Sequence, residues 1–228
     1  MFFGSRATQA EYFDASGRPE AEIAEGYRSL GWVNRLFIFA EPFQRFLPRL
    51  LGNENCGSLS ILDLGAGDGS LGSVLTAWAA KRKWDWRVTN LDTNISALRL
   101  NPDASNVAGS ALALPFRDGS FDVVIASQMT HHLSDEEVVM HLREAWRVAR
   151  RAVFLSDLHR GPALFCLIWL MFRFRRFPKH FQQDGLLSVK RGFRVGELRA
   201  FAKQAGIPGA HVWLYYGSRV ILESKKAR

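Results

Sequence analysis

The residues whose spacing first suggests chemistry are the glycines that follow the apolar stretch at 59–64. Gly65, Gly67 and Gly69 lead from this predicted strand into a predicted helix. Glycines at such a junction let backbone N–H groups and the helix dipole approach a polar or anionic ligand. Asp92 ends the next apolar stretch, 23 residues beyond Gly69, where a carboxylate can accept both hydroxyls of a ribose. The pattern predicts an adenosine-containing ligand.

Two ligands fit this loop, and they imply different reactions. Counted from Gly67, GDGSLG matches the fingerprint of dinucleotides, which carry hydride. Counted from Gly65, DLGAGDG is typical of a site for S-adenosyl-L-methionine (SAM), which donates methyl groups. Asp63 favours SAM, because a dinucleotide strand takes an apolar residue there and an acid suits a ligand that carries an ammonium group. Ser70 also stands where a dinucleotide loop counted from Gly65 requires glycine.

The elements that position these residues alternate between strand and helix patterns. We predict strands at 59–64, 86–92, 105–111, 121–128 and 152–158, and two more on either side of Gly217. We predict helices at 20–51 (broken at Pro42 and Pro48), directly after the glycine loop, and at 94–100, 134–149 and 194–206. The predicted fold class is α/β, a doubly wound and mainly parallel sheet whose last two strands include one antiparallel strand.

The basic charge of the chain is concentrated in one segment. The 228 residues carry a net charge of +8. Residues 147–194 hold eleven Lys/Arg against two Asp, a net charge of +9, which leaves −1 for the rest of the chain. The same segment holds the longest apolar run, at 163–172. We predict an N-terminal helical cap (1–57), an α/β core that binds the cofactor (58–160), an apolar and basic lid insertion (161–193), and a C-terminal helix and hairpin that complete the core (194–228).

The apolar run predicts a lid over the site. As a helix, ten residues span about 15 Å, which is half of a bilayer core, so we expect no transmembrane segment. Pro162 suits the first turn of this helix, and Pro178 suits its end. Its surface is apolar on all sides, so it must be covered by protein, by a hydrophobic acceptor or by membrane. We expect Trp169 in the acceptor wall. The arginines that follow suit a peripheral contact with anionic phospholipid.

A family resemblance becomes specific once the motifs are taken in order. DLGAGDG (63–69), Leu91-Asp92 and ALPFRDGSFDVVIASQMTHHL (113–133) resemble the successive motifs of class I SAM-dependent methyltransferases. They are most similar to the small-molecule branch that includes quinone-biosynthesis and natural-product methyltransferases, over roughly residues 58–160. The resemblance implies a Rossmann-like, seven-stranded sheet with an antiparallel final hairpin. It also implies SAM as the cofactor and a hydrophobic small molecule as the methyl acceptor.

The resemblance also assigns the cofactor contacts position by position. Asp63 orders the amino group of SAM, the three loop glycines approach its methionine part, and Asp92 takes the ribose. Relatives commonly have Asp-Ala before the LPF motif, and this chain has Ser110-Ala111. The adenine then meets the backbone of Ala111 and Leu112. Two residues at the end of the fourth strand face the sulfonium: Ser127 and Gln128.

The acceptor residues are expected where two strands end, in QMTHHL and SDLHRG. His131, His132 and His159 are candidate general bases, since the pKa of histidine suits removal of a proton from an acceptor. The alternative is that these histidines cap or pack neighbouring elements. Asp157 and Arg160 are candidate acceptor ligands, although Arg160 also fits a surface cation. Cys56 and Cys166 show no metal-ligand spacing, and no metal is expected.

Three other functions stay open at this point. The basic segment with interleaved aromatic residues fits an RNA methyltransferase, although SQMTHH (127–132) replaces the Asn/Asp-Pro-Pro-aromatic motif of enzymes that methylate base amino groups. A non-catalytic SAM-binding module and an NAD-dependent enzyme are the other two. The N-terminal residues lack a secretion signal pattern, and the two cysteines are most simply free thiols, so we expect a cytoplasmic protein. The sequence does not indicate the oligomeric state.

Overall fold

A seven-stranded sheet forms the centre of the computed structural model, which describes residues 3–15 and 17–227. Its spatial order is β3-β2-β1-β4-β5-β7-β6, and only β7 runs antiparallel to its neighbours. The predicted doubly wound sheet with one reversed strand in the final hairpin is confirmed. The strands are β1 (Ser58–Leu64), β2 (Asp85–Asp92), β3 (Ser105–Ala108), β4 (Phe121–Ser127), β5 (Ala149–Leu158), β6 (His211–Tyr215) and β7 (Arg219–Lys225).

Eight α-helices within the described residues pack around this sheet. They are α1 (Glu20–Leu36), α2 (Glu41–Leu51), α3 (Ser70–Ala80), α4 (Ile95–Leu98), α5 (Asp135–Val148), α6 (Pro162–Phe174), α7 (Lys179–Arg191) and α8 (Val195–Gln204). Short 3₁₀ turns lie at Tyr12–Asp14, Asn53–Asn55 and Thr130–His132.

The hydrophobic core lies on both faces of the sheet. In β1, Leu62 and Leu64 point to the face covered by α5 and α8. Leu59 and Ile61 point to the opposite face, which α2 and α3 cover. Successive side chains of a strand alternate between faces, so a strand buried on both sides is apolar along its length. Asp63 interrupts this pattern at the carboxyl end of the strand, and it is buried there.

The N-terminal helices confirm the predicted helical region but not the predicted breaks. The chain leaves α1 at residues 37–40, where Ile38 adopts a left-handed φ of 50°. Pro42 lies in the first turn of α2, where its missing N–H has no helical partner to lose. Pro48 lies inside α2 and does not end it. Both prolines are buried, so packing offsets the loss of one backbone hydrogen bond at Pro48.

The lid segment contains two helices where one was predicted. Pro178 follows the first helix, as expected, and directly precedes the second. Together α6, α7 and the inner face of α1 form a separate apolar cluster, whose buried members are Leu164, Ile168, Phe172, Phe181 and Val189. Within the part of the chain that the structure describes, no helix has the length and hydrophobicity needed to span a bilayer.

Candidate cofactor and acceptor site

The glycine loop has backbone angles that exclude other residues. Gly65, Gly67 and Gly69 have φ values of 64°, 58° and 69°, in the left-handed region that side chains disfavour. Space is also short, because a Cβ on Gly65 would overlap the Met129 side chain. A Cβ on Gly67 would lie 2.6 Å from Cε1 of Tyr27. The backbone of the loop therefore packs directly against Met129 and Tyr27, which leaves no room for side chains at Gly65 and Gly67.

Asp63 is a buried carboxylate without a hydrogen-bond donor among residues 3–15 and 17–227. Its exposed fraction is 1%. Burial, followed by the negative charges of Asp92 and Asp68, raises its pKa well above the ordinary value. Buried carboxyl groups normally have partners. A missing cationic partner beside a glycine cradle fits the amino group of the methionine part of SAM.

Asp92 is aimed at the loop from the end of β2. Its Oδ2 accepts the N–H of Gly67 at 2.8 Å, and its Oδ1 accepts the N–H of Asn94 at 2.8 Å. An ionised carboxylate offers about four acceptor positions, so the two bonds leave acceptor capacity for ribose hydroxyls. The observed bonds give Asp92 an additional role, since they fix the loop against the second strand.

Tyr27 is a site residue that sequence reasoning missed. Its ring lies against Gly67. Burial, together with the charges of Asp92 and Asp68, raises the pKa of its phenol. Tyr27 precedes Leu30 by three residues and so belongs to the apolar stripe of α1. A tyrosine on the apolar face of a helix often places its hydroxyl at a site, and this signal could have identified Tyr27 from the sequence.

The loop after β3 is ordered by the serine that replaces the usual acid. Ser110 Oγ accepts the backbone N–H of Leu112 at 3.1 Å, and Ser110 and Ala113 form an isolated antiparallel bridge. Burial lowers the pKa of His141, on α5, to about 4. Ser110 therefore shapes the backbone expected to meet adenine. That assignment stays a prediction.

The end of β4 is strained and polar. Gln128 has φ of 52°, which is uncommon for a residue with a side chain and concentrates at functional sites. Its backbone N–H donates to Ser156, and its side-chain Nε2 donates to Asn34 at 3.1 Å. Ser127 Oγ, one residue earlier, is buried and has no hydrogen-bond partner within the described residues.

A small cavity of about 30 Å³ opens beside Gln128. That volume holds little more than one water molecule, so an acceptor requires α1 or α6 to move outward. Five of the nine residues that line the cavity are apolar, and four carry polar side chains. The lining residues are Val33, Asn34, Phe37, Gln128, Leu158, Leu164, Ile168, Ser218 and Arg219.

The candidate bases have different environments. His131 is buried, and its Nδ1 lies 2.6 Å from Oδ1 of Asp157. A carboxylate only accepts, so Nδ1 donates and the lone pair stays on Nε2, which has no hydrogen-bond partner in the described chain. His132 pairs through Nδ1 with Asp14 at 2.7 Å. His159 lies at the hairpin with its Nδ1 3.2 Å from the carbonyl of Gly217.

The two adjacent histidines also converge on Glu11. The Nε2 atoms of His131 and His132 lie 3.7 and 3.9 Å from the two Glu11 oxygens. All three ligand atoms lie within 4.8 Å of one another, a spacing that a divalent cation accepts. The sequence did not indicate this grouping, since Glu11 lies far from both histidines along the chain. Burial alone would raise the pKa of Asp157, but its contact with His131 and its hydrogen bond from the backbone N–H of Leu158 outweigh burial and lower that pKa.

Two residues predicted to meet the acceptor lie elsewhere. Arg160 is buried, but its guanidinium is occupied by the Glu197 carboxylate and by backbone carbonyls, including that of Gly192. It ties the lid segment to α8. Trp169 is 52% exposed and does not line the cavity, whereas its neighbour Ile168 does. Because the sequence of α6 is apolar on all sides, it does not indicate which side faces inward.

Comparison with known proteins agrees with this geometry. A family profile described as "Methyltransferase domain" matches residues 62–155. A demethylmenaquinone methyltransferase of Roseiflexus sp. (strain RS-1) is 30% identical over 175 residues, which cover 72% of this chain and 68% of the relative. A ubiquinone biosynthesis O-methyltransferase of Bordetella parapertussis is 30% identical over 183 residues, covering 73% and 71% respectively. A crystal structure from Methanococcus maripaludis, described as a SAM-dependent methyltransferase, shares the fold with a TM-score of 0.64 and 14% identity, covering 94% of this chain and 98% of that one.

Proposed function

This chain belongs to the class I SAM-dependent methyltransferases, in their small-molecule branch. On that premise, we propose that it methylates an oxygen or carbon of a hydrophobic phenol, quinone precursor or polyketide-like acid. The observation that carries the proposal is the position of the mainly apolar cavity. Its wall includes Gln128, which follows the strand next to the glycine loop. The two curated relatives are named for demethylmenaquinone and ubiquinone biosynthesis, which supports an acceptor of this class.

The cofactor side follows from the residues described above. When bound, SAM supplies an electrophilic methyl group on a sulfonium. Asp63 provides the carboxylate for the ammonium group, and Asp92 holds the loop while it accepts from ribose. Tyr27 covers Gly67 and so shields the cradle from water. Gln128, fixed by Asn34, contributes a polar group at the edge shared by cofactor and acceptor. In-line displacement at carbon depends chiefly on such positioning.

For acceptors that must lose a proton, the geometry favours His131 as the general base. Its Nδ1 is held by Asp157, which sets the tautomer and leaves Nε2 able to accept a proton. This is the arrangement of a base and its orienting acid. His132 is engaged with Asp14, and His159 is engaged with a backbone carbonyl. Asp157 therefore acts as a positioning residue in this proposal.

The test of the reaction uses SAM with a deuterated methyl group and a panel of alkyl catechols, alkylresorcinols and their benzoic acids. Mass spectrometry detects the labelled product, and NMR distinguishes O-methyl from C-methyl. We expect transfer to at least one alkylated member and none to the unalkylated parent. His131→Asn is expected to lower kcat by about 10²–10⁴-fold without changing SAH affinity, with His159→Asn as the matched control. Transfer to RNA, or no transfer to any phenol, contradicts the proposal.

We also propose that the outer face of α6 rests on an anionic bilayer. Leu167, Trp169, Leu170 and Phe174 are 46–83% exposed, a concentration of apolar surface unusual for one helix. Arg173, Arg175 and Arg176 follow on the exposed side, and basic residues beside apolar anchors suit anionic lipid. An acceptor with a long alkyl chain partitions into the same bilayer, so this placement brings the cavity beside its source.

Vesicle sedimentation tests this placement. We expect the protein to sediment with phosphatidylglycerol-containing vesicles more than with pure phosphatidylcholine vesicles. Phe174→Asp is expected to release it. Met140→Asp is the control, because Met140 is an apolar residue on α5 that is 45% exposed. Equal sedimentation of both variants, or no sedimentation of the native protein, contradicts the bilayer contact.

A further inference from the structure

Arg219 is the charged group in the wall of the cavity. It begins β7 and is 6% exposed. Because β7 runs antiparallel, its first residue lies at the edge of the sheet where β5 ends, paired with Leu158. The hairpin thereby brings a cation to the same edge as Gln128.

The guanidinium of Arg219 has few partners for so buried a group. Its Nη2 donates to the carbonyl of Phe37 at 3.4 Å, and its Nη1 has no hydrogen-bond partner within residues 3–15 and 17–227. The neighbouring acids form hydrogen bonds with other donors. Asp157 accepts from His131 and from backbone N–H groups, and Glu41 accepts from the hydroxyl of Tyr215.

An unsatisfied buried cation is costly and uncommon. Burial lowers the pKa of Arg219 to about 10, although Asp157 and Glu41 raise it. The group therefore remains charged at neutral pH while lacking the acceptors that a guanidinium normally has. A planar group with two oxygens, or a single anionic oxygen, supplies them with good geometry.

We propose that Arg219 is the binding residue for an anionic oxygen group on the methyl acceptor, either a carboxylate or an ionised phenol. This inference rests on the proposed function, because it concerns the acceptor of that reaction. It specifies the acceptor as an amphiphile. The anionic head lies between Arg219 and Gln128, and the alkyl part lies against Val33, Leu164 and Ile168.

Binding to the SAH-loaded protein tests the proposal with three probes at pH 7.5. A hexyl-dihydroxybenzoate carries a carboxylate, a hexyl-nitrocatechol carries an ionised phenol, and hexylcatechol is neutral. Calorimetry gives the dissociation constants, and the absorbance of the nitrocatechol reports its ionisation when bound. We expect at least one anionic probe to bind at least tenfold more tightly than hexylcatechol. A preference for one anion alone supports the proposal and assigns the group.

Substitutions separate Arg219 from the general positive charge of the protein. Arg219→Met is expected to remove the preference, and Arg219→Lys is expected to retain part of it. Arg45→Met is the matched control, since Arg45 contacts Tyr215 on the same hairpin but is exposed. SAH affinity must stay unchanged in each variant used. If Arg219→Met destroys the fold, the neutral and polar Arg219→Gln replaces it, and a full native preference in Arg219→Gln overturns the proposal.

The remaining outcomes distinguish this inference from the proposed function. If no probe is methylated but the preference depends on Arg219, the inference stands and the proposed reaction fails. If probes are methylated and Arg219→Met keeps the native preference, the inference is overturned and the reaction stands. A preference lost equally in Arg45→Met also overturns it, because the effect is then long-range electrostatics.

Discussion

Replacement of Asp63 by asparagine is expected to change ligand affinity and protein stability in opposite directions. The substitution keeps the shape of the side chain and removes its charge. In the proposed complex, the carboxylate pairs with the ammonium group of the cofactor. A hydrogen bond to a charged group contributes about 1.5–3 kcal/mol, and each 1.4 kcal/mol is tenfold in affinity. We therefore expect Asp63→Asn to weaken SAH binding by about 10–100-fold.

The stability of the ligand-free protein is expected to rise in the same variant. The pKa of Asp63 is raised above its ordinary value of 3.8 by burial and by neighbouring carboxylates. A group whose pKa is higher in the folded state stabilises the protein below its ordinary pKa, and this contribution is lost as pH rises through the folded value. The native protein therefore loses stability relative to Asp63→Asn as pH increases from 4 towards 8.

Calorimetric titration with SAH and urea unfolding across that pH range measure the two effects. Asp103→Asn is the matched control, because Asp103 is an exposed acid in a surface turn. Native SAH affinity in Asp63→Asn refutes the ammonium assignment. Lower stability of the variant at pH 8 would show that the carboxylate has a stabilising partner, which contradicts the reasoning from burial.

Three further outcomes follow from the packing of the site. Gly65→Ala is expected to destabilise the protein by about 1–2 kcal/mol from its left-handed φ alone, with an added cost from overlap with Met129, measured by urea unfolding. Ile168→Asp is expected to abolish methyl transfer to alkylated acceptors while SAH still binds. Trp169→Asp is expected to keep turnover of a detergent-solubilised acceptor. If Trp169→Asp is inactive and Ile168→Asp is active, the face of α6 that carries Trp169 lines the acceptor site instead. Arg160→Met is expected to cost about 3 kcal/mol of stability, because it leaves a partly buried carboxylate unpaired, and a thermal melt equal to the native one would contradict this.

The glycine loop and the two acids beside it could be predicted from the sequence, and their contacts with SAM stay predictions. The glycine loop needs a fixed spacing because its backbone angles and close contacts exclude side chains at Gly65 and Gly67. Asp63 stood out because it breaks an apolar strand, and the alternation of strands and helices predicted the order that places Asp92 beside the loop. Each of these patterns lies within a short stretch of the chain, so a single sequence is enough to recognise it.

The acceptor half depended on contacts between distant segments. In the sequence, Arg219 looks like an ordinary hairpin residue, and only the fold shows that the end of α1 covers it. Asn34 looks like a break in the apolar stripe of α1, and only the fold shows its contact with Gln128. Because α6 is apolar on all sides, its sequence does not indicate which face turns inward, and the prediction of Trp169 in the acceptor wall had no support from periodicity. The second lid helix was missed because Pro178 signals both the end of one helix and the start of another.

The reversed direction of β7 divides the molecule into parts that can diverge separately. The residues proposed to hold the cofactor lie at the ends of β1 to β4, whereas the cation proposed to face the acceptor begins β7. Under the proposed function, substitutions at Ser218 and Arg219 are expected to change which molecule is methylated and to leave the residues that hold the methyl donor unchanged. A laboratory search for new acceptors should randomise this hairpin together with Leu164 and Ile168, and keep the nucleoside-holding loops constant.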